Sequence, residues 1–496
     1  MRERCLSTYQ APPNFPVTHA TMIGTYPRVP HLLTQFHLKP LLWSAAAVLV
    51  MLAATACSNL DGVASLLDRP AVRVPSELSG VWEVYEILEQ DFGGIETVDQ
   101  EVLSHGAIEG MLGILRQYQP TTTLSSDYDL TAPDLEAVWQ SWADISPTLD
   151  QADVFFTAEE LEKAAIQGML RALGNPYTTY LSHDRYELEF GNFSSDYEGI
   201  GAYMGLSDSH QLTISALIPD TPAERAGIVT GDVILGVDGT STQGMSVTEA
   251  VLLIRGPEGT SVDLLVLRIG NDDPETVTIT RGTVFRPSVA WEPLTDDVAY
   301  MRISDFLEDT GDEVAVALEE VMAGGFSGVV LDLRGNAGGL LSTTVEVASL
   351  LLEEGPVLFQ MDAQGNRKDV SISRDPVAPG IPMVLIVNGR TASGSEILAG
   401  ALQDYERAII VGTRTFGKGS VNQFRRLEDG SGLYLTFALW YTPNGRLIEG
   451  EGLAPDIFVP TVPPELLGTR RDSQLSVALN HITAVIQETA ASRTAS

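Results

Sequence analysis

Between Gln211 and Asn480 this chain contains no histidine, and its only two cysteines are Cys5 and Cys57. From residue 58 onward, therefore, a disulfide framework, a cysteine nucleophile and a cysteine-based zinc site are excluded. Lysine is nearly as scarce, at Lys39, Lys163, Lys368 and Lys418. Positive charge is short overall, with Lys+Arg 30 against Asp+Glu 66 and a net charge of −36. That balance repels phosphates and offers no counterion release, so nucleic acid and anionic membrane surfaces are not expected partners. It describes a heavily hydrated, soluble surface. The 496 residues, 44% hydrophobic, are too many for one ordinary core and imply two to four folded domains.

The first 57 residues read as an address. Leu41 to Ala56 is an uncharged run, preceded by His37 and Lys39. It is short for a spanning helix, which needs about 20 residues, and suits the apolar stretch of a signal peptide. Ala54-Thr55-Ala56 places small residues immediately before Cys57. This resembles a bacterial lipoprotein signal, which implies Cys57 as a lipid-bearing first residue and a chain exported and held at a membrane. An uncleaved single anchor, or cleavage near Ala56, are the alternatives.

Residues 58–78 lack periodicity and read as a linker. From 79 to 195 the apolar spacing is helical, as in Val81, Trp82, Val84, Tyr85 and Leu88. Gly106-Ala-Ile-Glu-Gly-Met-Leu112 returns as Ala164-Ala-Ile-Gln-Gly-Met-Leu170, and Val81-Trp82 as Val138-Trp139, which argues a duplicated helical hairpin. Over 196–285 the pattern changes to strands at Leu212–Ile218, Gly231–Gly239, Ser261–Ile269 and Glu275–Arg281, with a short helix at Val247–Ile254. This order resembles a PDZ domain. Its carboxylate-binding loop then falls at Gly199, Ile200, Gly201 and Ala202, where glycines let successive N–H groups converge on a peptide C-terminus.

From 286 to 462 apolar strands alternate with helices, the mark of an α/β core whose chemistry sits on strand-end loops. Val298–Ile303 precedes a helix near 311–323. Gly328–Leu333 runs into the loop Arg334-Gly-Asn-Ala-Gly-Gly339, and a helix near 340–352 follows. Residues 463–496 form a tail with one more amphipathic helix, Asp472 to Gln487.

One junction in this core invites acyl chemistry. Met383–Val387 leads into Asn388-Gly-Arg-Thr-Ala-Ser393-Gly-Ser395, and a helix-like run follows. A serine hydroxyl attacks poorly until a neighbour takes its proton. Carboxylates near their usual pKa of about 4 are weak bases for that task. A lysine serves if burial keeps it neutral. Lys418, in Thr415-Phe-Gly-Lys-Gly-Ser420 after the strand Ala408–Val411, is the lysine best placed in sequence. Ser393 with Glu396 three residues on fits a helix capping box, so Ser393 reads equally as a cap or as a nucleophile at the positive end of a helix. Capping alone does not separate the two.

The stretch from Thr391 to Val421 resembles the catalytic region of the carboxyl-terminal processing, or tail-specific, proteases. So do Asp332–Leu341, Tyr441–Ile457 and Leu173–Leu181. The resemblance covers nearly all of 79–490, and implies an α/β multidomain protein with a crotonase/ClpP-like protease core. It implies Ser393 as nucleophile, first serine of S-x-S-E, with Lys418 twenty-five positions later as base. Ser395 is left as a helix-start residue. The glutamine that orients the lysine in this family corresponds to Asn422, with Gln423 next. The oxyanion donors implied are N–H groups of Gly394 and of Gly338 or Gly339. No metal or organic cofactor is implied. The partners implied are protein substrates with free C-terminal tails, with a homo-oligomer or an adaptor as further partners. A non-catalytic PDZ scaffold is the rival reading, and a peptide ligase or other acyltransferase on the same dyad is a third.

Overall fold

The computed structural model describes residues 74–92, 98–118, 128–149 and 156–495, apart from Asn192, Asp208, Asp272, Ala363 and Gln364. Cys57 and the whole signal-like segment lie outside the described residues. Among those described, no helix is long and apolar enough to cross a membrane.

Among the described residues, the first α-helices are α1 (Ser79–Asp91), α2 (Gln100–Tyr118), α3 (Glu136–Ile145) and α4 (Ala158–Ala172). The two copies of the sequence repeat pack on each other. A Cβ on Gly110 would lie 2.0 Å from the Ala164 carbonyl oxygen, and one on Gly168 would lie 2.1 Å from that of Gly106. Small residues thus bring the backbones of α2 and α4 together, and the repeated tryptophans Trp82 and Trp139 meet at 6.4 Å between ring centroids. The short strand β1 (Thr179–Leu181) and α5 (His183–Gly191) end this region.

A β-rich module follows. Strands β2 (Asp196–Gly199), β3 (Ala202–Leu206), β4 (Leu212–Leu217), helix α6 (Pro222–Arg225), β5 (Val233–Val237), β6 (Thr240–Ser241), α7 (Val247–Ile254), β7 (Ser261–Leu267), β8 (Glu275–Thr280) and β9 (Gly282–Phe285) run in that order. The sheet order is β3-β4-β5-β7-β8, with β2 and β9 paired separately. Alternation along β7 sends Val262, Leu264 and Val266 inward, where they form a core of their own with Ile214, Ile234 and Ala250.

The remaining strands are β10 (Val289–Pro293), β11 (Val298–Ile303), β12 (Gly328–Asp332), β13 (Pro356–Met361), β14 (Arg367–Ser371), β15 (Met383–Val387), β16 (Ile409–Gly412), β17 (Ser420–Arg426), β18 (Gly432–Tyr441) and β19 (Ile457–Phe458). The helices among and after them are α8 (Thr310–Ala323), α9 (Leu341–Leu351), α10 (Gly394–Asp404) and α11 (Ser473–Ala495). One sheet has the order β10-β11-β12-β15-β16-β19, parallel except at its β10 edge. Its strands are apolar on both faces because both are covered. Val329, Leu331, Leu385 and Ile410 join the core beneath α8, α9 and α10. The alternate residues Val330, Val384, Ile386 and Val411 pack with Leu475, Ala478 and Ile482 of α11. A second sheet, β1-β18-β13-β14 with β17 on β18, joins the helical region to this core through β1.

Parallel strands place their carboxyl ends on one edge, and the loops there carry the residues singled out in the sequence. These are 334–339 after β12, 388–393 after β15 and 413–419 after β16.

Candidate active site

Ser393 sits at the N-cap of α10 with φ 53° and ψ −118°. Positive φ is costly for a residue bearing a Cβ, and such strain persists only where the surroundings enforce it. It is the geometry of a sharp strand-to-helix turn that lifts a side chain off the end of a sheet. The enforcement is visible. Ala392 N–H donates to the Asn336 carbonyl at 3.0 Å, and Thr391 Oγ1 donates to the Leu333 carbonyl at 2.8 Å. The other serine, Ser395, is fully buried and donates its hydroxyl to the Asn336 carbonyl at 3.1 Å. Its hydroxyl is thus used in holding the turn to the neighbouring loop.

Glu396, read in the sequence only as a capping residue, does more. It is completely buried. Its Oε2 accepts the N–H of Ser393 and the N–H of Lys418, each at 2.9 Å. Its Oε1 accepts from Thr415 Oγ1 at 2.5 Å and from Gly417 N–H at 2.8 Å. Burial pushes this carboxyl above the usual carboxylate range, and the donors from Thr415, Gly417, Lys418 and Ser393 oppose that rise. Phe416 N–H donates to the Thr391 carbonyl at 3.0 Å, a further tie between the two loops.

Lys418 is half-buried and does not project into open solvent. Burial pushes its ammonium below the ordinary lysine value, and the Glu449 carboxylate pulls the other way. Its Nζ lies 3.5 Å from Tyr434 Oη, and 5.4 Å from the ring centroids of both Tyr177 and Tyr434. Among the described hydrogen bonds, that to Tyr434 is the one made by the Lys418 amine, and Ser393 is not its partner. Ser393 lines a cavity of about 110 Å³ together with Gly394, Gly339, Ser420, Asn422 and Tyr434, and Lys418 adjoins that cavity through its contact with Tyr434. Apolar walls come from Leu340, Leu358, Ile397 and Trp440. Neither tyrosine was marked as a site residue by its sequence neighbourhood, although Tyr177 lies within the Leu173–Leu181 stretch noted above.

The oxyanion assignment needs one correction. Gly338 N–H is already donated to Asn336 Oδ1 at 2.8 Å, so it is not free to meet a developing anion. Gly338 instead supplies a close approach. With φ 101°, a Cβ there would lie 2.8 Å from both Gly394 N and Ser393 Cβ. The next residue, Gly339, has its nitrogen against Gly394 and lines the cavity beside Ser393. Gly339 and Gly394, the latter at the helix start, are the pair whose N–H groups the fold brings beside Ser393.

Asn422 and Gln423 separate because neighbouring residues on a strand point oppositely. Asn422 lines the cavity with Ser393, and its amide oxygen and nitrogen are buried with no protein partner. Gln423 is not part of that lining. In the β-rich module, Ile200, Gly201 and Ala202 line a groove of about 210 Å³ between β3 and α7, together with Val247 and Val251. Gly201 has φ 80°, where a Cβ would strike Thr221, so the loop requires glycine there. Gly199 ends β2 and does not line the groove.

A strained serine on a strand-to-helix turn, with the N–H groups of Gly339 and Gly394 beside it in one cavity, has the arrangement of a serine-type hydrolase site. Peptidase family S41 matches residues 297–459, and a PDZ domain matches 213–268. The carboxyl-terminal-processing protease of Synechocystis sp. is 36% identical over 327 residues, spanning 64% of this chain and 76% of that protein. The carboxy-terminal processing protease CtpA of Bacillus subtilis is 36% identical over 301 residues, spanning 60% and 64%. Among solved structures, the photosystem II D1 C-terminal processing protease is 30% identical, with a TM-score of 0.43 over 77% of this chain and 98% of that one. The chain belongs to the carboxyl-terminal processing protease family, serine peptidases that carry a PDZ domain.

Proposed function

We propose that this protein cleaves exported proteins near their C-termini with Ser393 as nucleophile and Lys418 as general base. One observation carries the assignment: a single carboxylate oxygen, Glu396 Oε2, holds the backbone of both residues. In the proposed cycle the Lys418 amine turns from Tyr434 toward Ser393 and takes its proton. The Ser393 oxygen attacks the scissile carbonyl, and the N–H groups of Gly339 and Gly394 hold the oxyanion. Lys418 then gives the proton to the leaving amine, and a water deprotonated by Lys418 hydrolyses the acyl-enzyme. Asn422, with its unpartnered amide beside the cavity, is the better candidate than Gln423 for orienting the lysine.

The groove between β3 and α7 takes the substrate tail, with the Ile200–Ala202 backbone at its carboxylate. A strand order that advances one way, with α8, α9 and α10 on one face, supports a core of the crotonase/ClpP-like type. The signal-like run before Cys57 supports export and membrane attachment. The rival scaffold reading lacks support from a family whose members are peptidases. The test is release of tail fragments from a denatured exported protein by wild type, Ser393→Ala and Lys418→Ala. Undiminished cleavage by either variant would end the dyad assignment.

A further inference from the structure

We propose that Asp472 and Gln474, at the entrance to the last helix, are positioning residues of the oxyanion loop. The inference rests on the peptidase reading above. Both residues lie beyond the stretch matched by the peptidase family, which ends at 459. Both are buried, as are Arg334 and Asp332.

The Arg334 guanidinium is gripped from two sides. On one, its Nε lies 3.0 Å from each oxygen of Asp332, and its Nη2 donates to Asp332 Oδ2 at 2.6 Å. On the other, its Nη1 donates to Asp472 Oδ1 at 3.0 Å and to Gln474 Oε1 at 3.1 Å, and Nη2 lies 2.8 Å from Asp472 Oδ2. A planar guanidinium held by two carboxylates has its position and its tilt fixed. Asp332 alone would neutralise it. The second carboxylate grips the opposite edge of the same guanidinium, while Arg302 Nη2 donates to the Arg334 carbonyl at 3.2 Å. The gain from Asp472 is geometric.

That geometry reaches the chemistry in few steps. Arg334 opens the loop in which Asn336 takes Gly338 N–H on Oδ1 and donates Nδ2 to the Ile303 carbonyl at 3.0 Å. The Asn336 carbonyl accepts from Ala392 N–H and Ser395 Oγ, the two groups flanking the nucleophile turn. Asp472 is itself anchored, accepting Leu475 N–H and Gly468 N–H at 3.0 Å each. Gln474 is tied through Nε2 to the Val459 carbonyl at 3.0 Å. The start of α11 and the start of the oxyanion loop are therefore one rigid unit.

The test compares full-length wild type with Asp472→Asn and with Ile482→Ala. Ile482 is an apolar residue of the same helix that packs against the sheet with Val330 and Val384. Tail-peptide kinetics, Tm and amide exchange of the 334–339 segment are read on all three. Asp472→Asn is expected to lower kcat about 10–100-fold, the scale of a small misplacement near the reacting atoms. KM is expected to stay nearly unchanged and exchange in 334–339 to accelerate. Ile482→Ala is expected to lose Tm while keeping kcat and the protection of that segment. Wild-type kcat and exchange in Asp472→Asn would overturn the proposal, as would equal kcat losses in the two variants at matched Tm. If wild type itself fails to cut the tail peptide, the peptidase reading fails, and the exchange comparison alone then decides the positioning role.

Discussion

Ser393 and Lys418, twenty-five positions apart, direct their backbone N–H groups onto the same oxygen, Oε2 of Glu396, each at 2.9 Å. The proposed nucleophile and its proposed base are thus held at the backbone by one buried group. Glu396→Gln keeps the shape but turns an NH₂ toward one of the two donor pairs, Ser393 with Lys418 or Thr415 with Gly417. Buried donors left unmatched cost about 1–3 kcal/mol each. The expected result is a lower Tm in calorimetry together with a fall in kcat of about 10²-fold. A variant with wild-type kcat would show that the shared oxygen is a cap and nothing more.

The pH dependence follows from Lys418. Burial lowers its pKa, so the neutral amine becomes available below the ordinary lysine range. Under the proposed mechanism kcat/KM rises with pH through that lowered value and then levels. The linkage has a definite sign. A depressed lysine pKa means that the unfolded chain binds the proton while the folded chain does not, between the folded and unfolded values, so stability rises with pH across that window. Below it, the fold bears the cost of a buried ammonium. Lys418→Met is therefore expected to abolish cleavage and to raise Tm at neutral pH. A lower Tm would mean that the tyrosine contacts of the ammonium outweigh its desolvation.

The α/β core is legible in sequence because Gly328–Asp332 and Met383–Val387, covered on both faces, are continuous apolar runs between helices. The second sheet is not. β14 reads Arg-Lys-Asp-Val-Ser and is mostly exposed, and β17 ends in two exposed arginines, so neither carries a strong strand period. At the site, spacing and resemblance pointed to Ser393 and Lys418. The tyrosines around Lys418 were invisible because Tyr177 and Tyr434 arrive from β1's approach and from β18, a tertiary meeting with no local signature. Gly338 was misread for a similar reason. A glycine-rich loop announces close backbone approach, but which N–H stays free depends on where the Asn336 side chain folds back.

That distinction makes Gly338→Ala informative. The residue has φ 101°, and the added methyl would stand 2.8 Å from Gly394 N and Ser393 Cβ. Both the backbone and the neighbouring turn must shift, moving the Gly339 and Gly394 N–H groups off the oxyanion position. Loss of such a donor costs about 10²–10³ in rate. Tail binding to the β3–α7 groove, measured by calorimetric titration with a free-carboxylate peptide, should be unaffected. Loss of both together would point to a folding defect.

The groove itself is best separated from the chemistry through Val251. This residue lines the groove from α7 and belongs to the β-rich module, not to the cavity holding Ser393. Val251→Asp places a carboxylate where the tail's own carboxylate-bearing end and its apolar side chains would lie. Apolar contact is lost and like charges are opposed, at a cost of about 1–3 kcal/mol in binding. KM for tailed substrates should rise by roughly 10–100-fold by that estimate. Acylation of Ser393 by a small activated ester, which has no tail to present, should proceed at the wild-type rate. Slower acylation by the ester would instead mean that the groove governs the state of the active site itself, because a residue touching only the module would then have altered chemistry at Ser393.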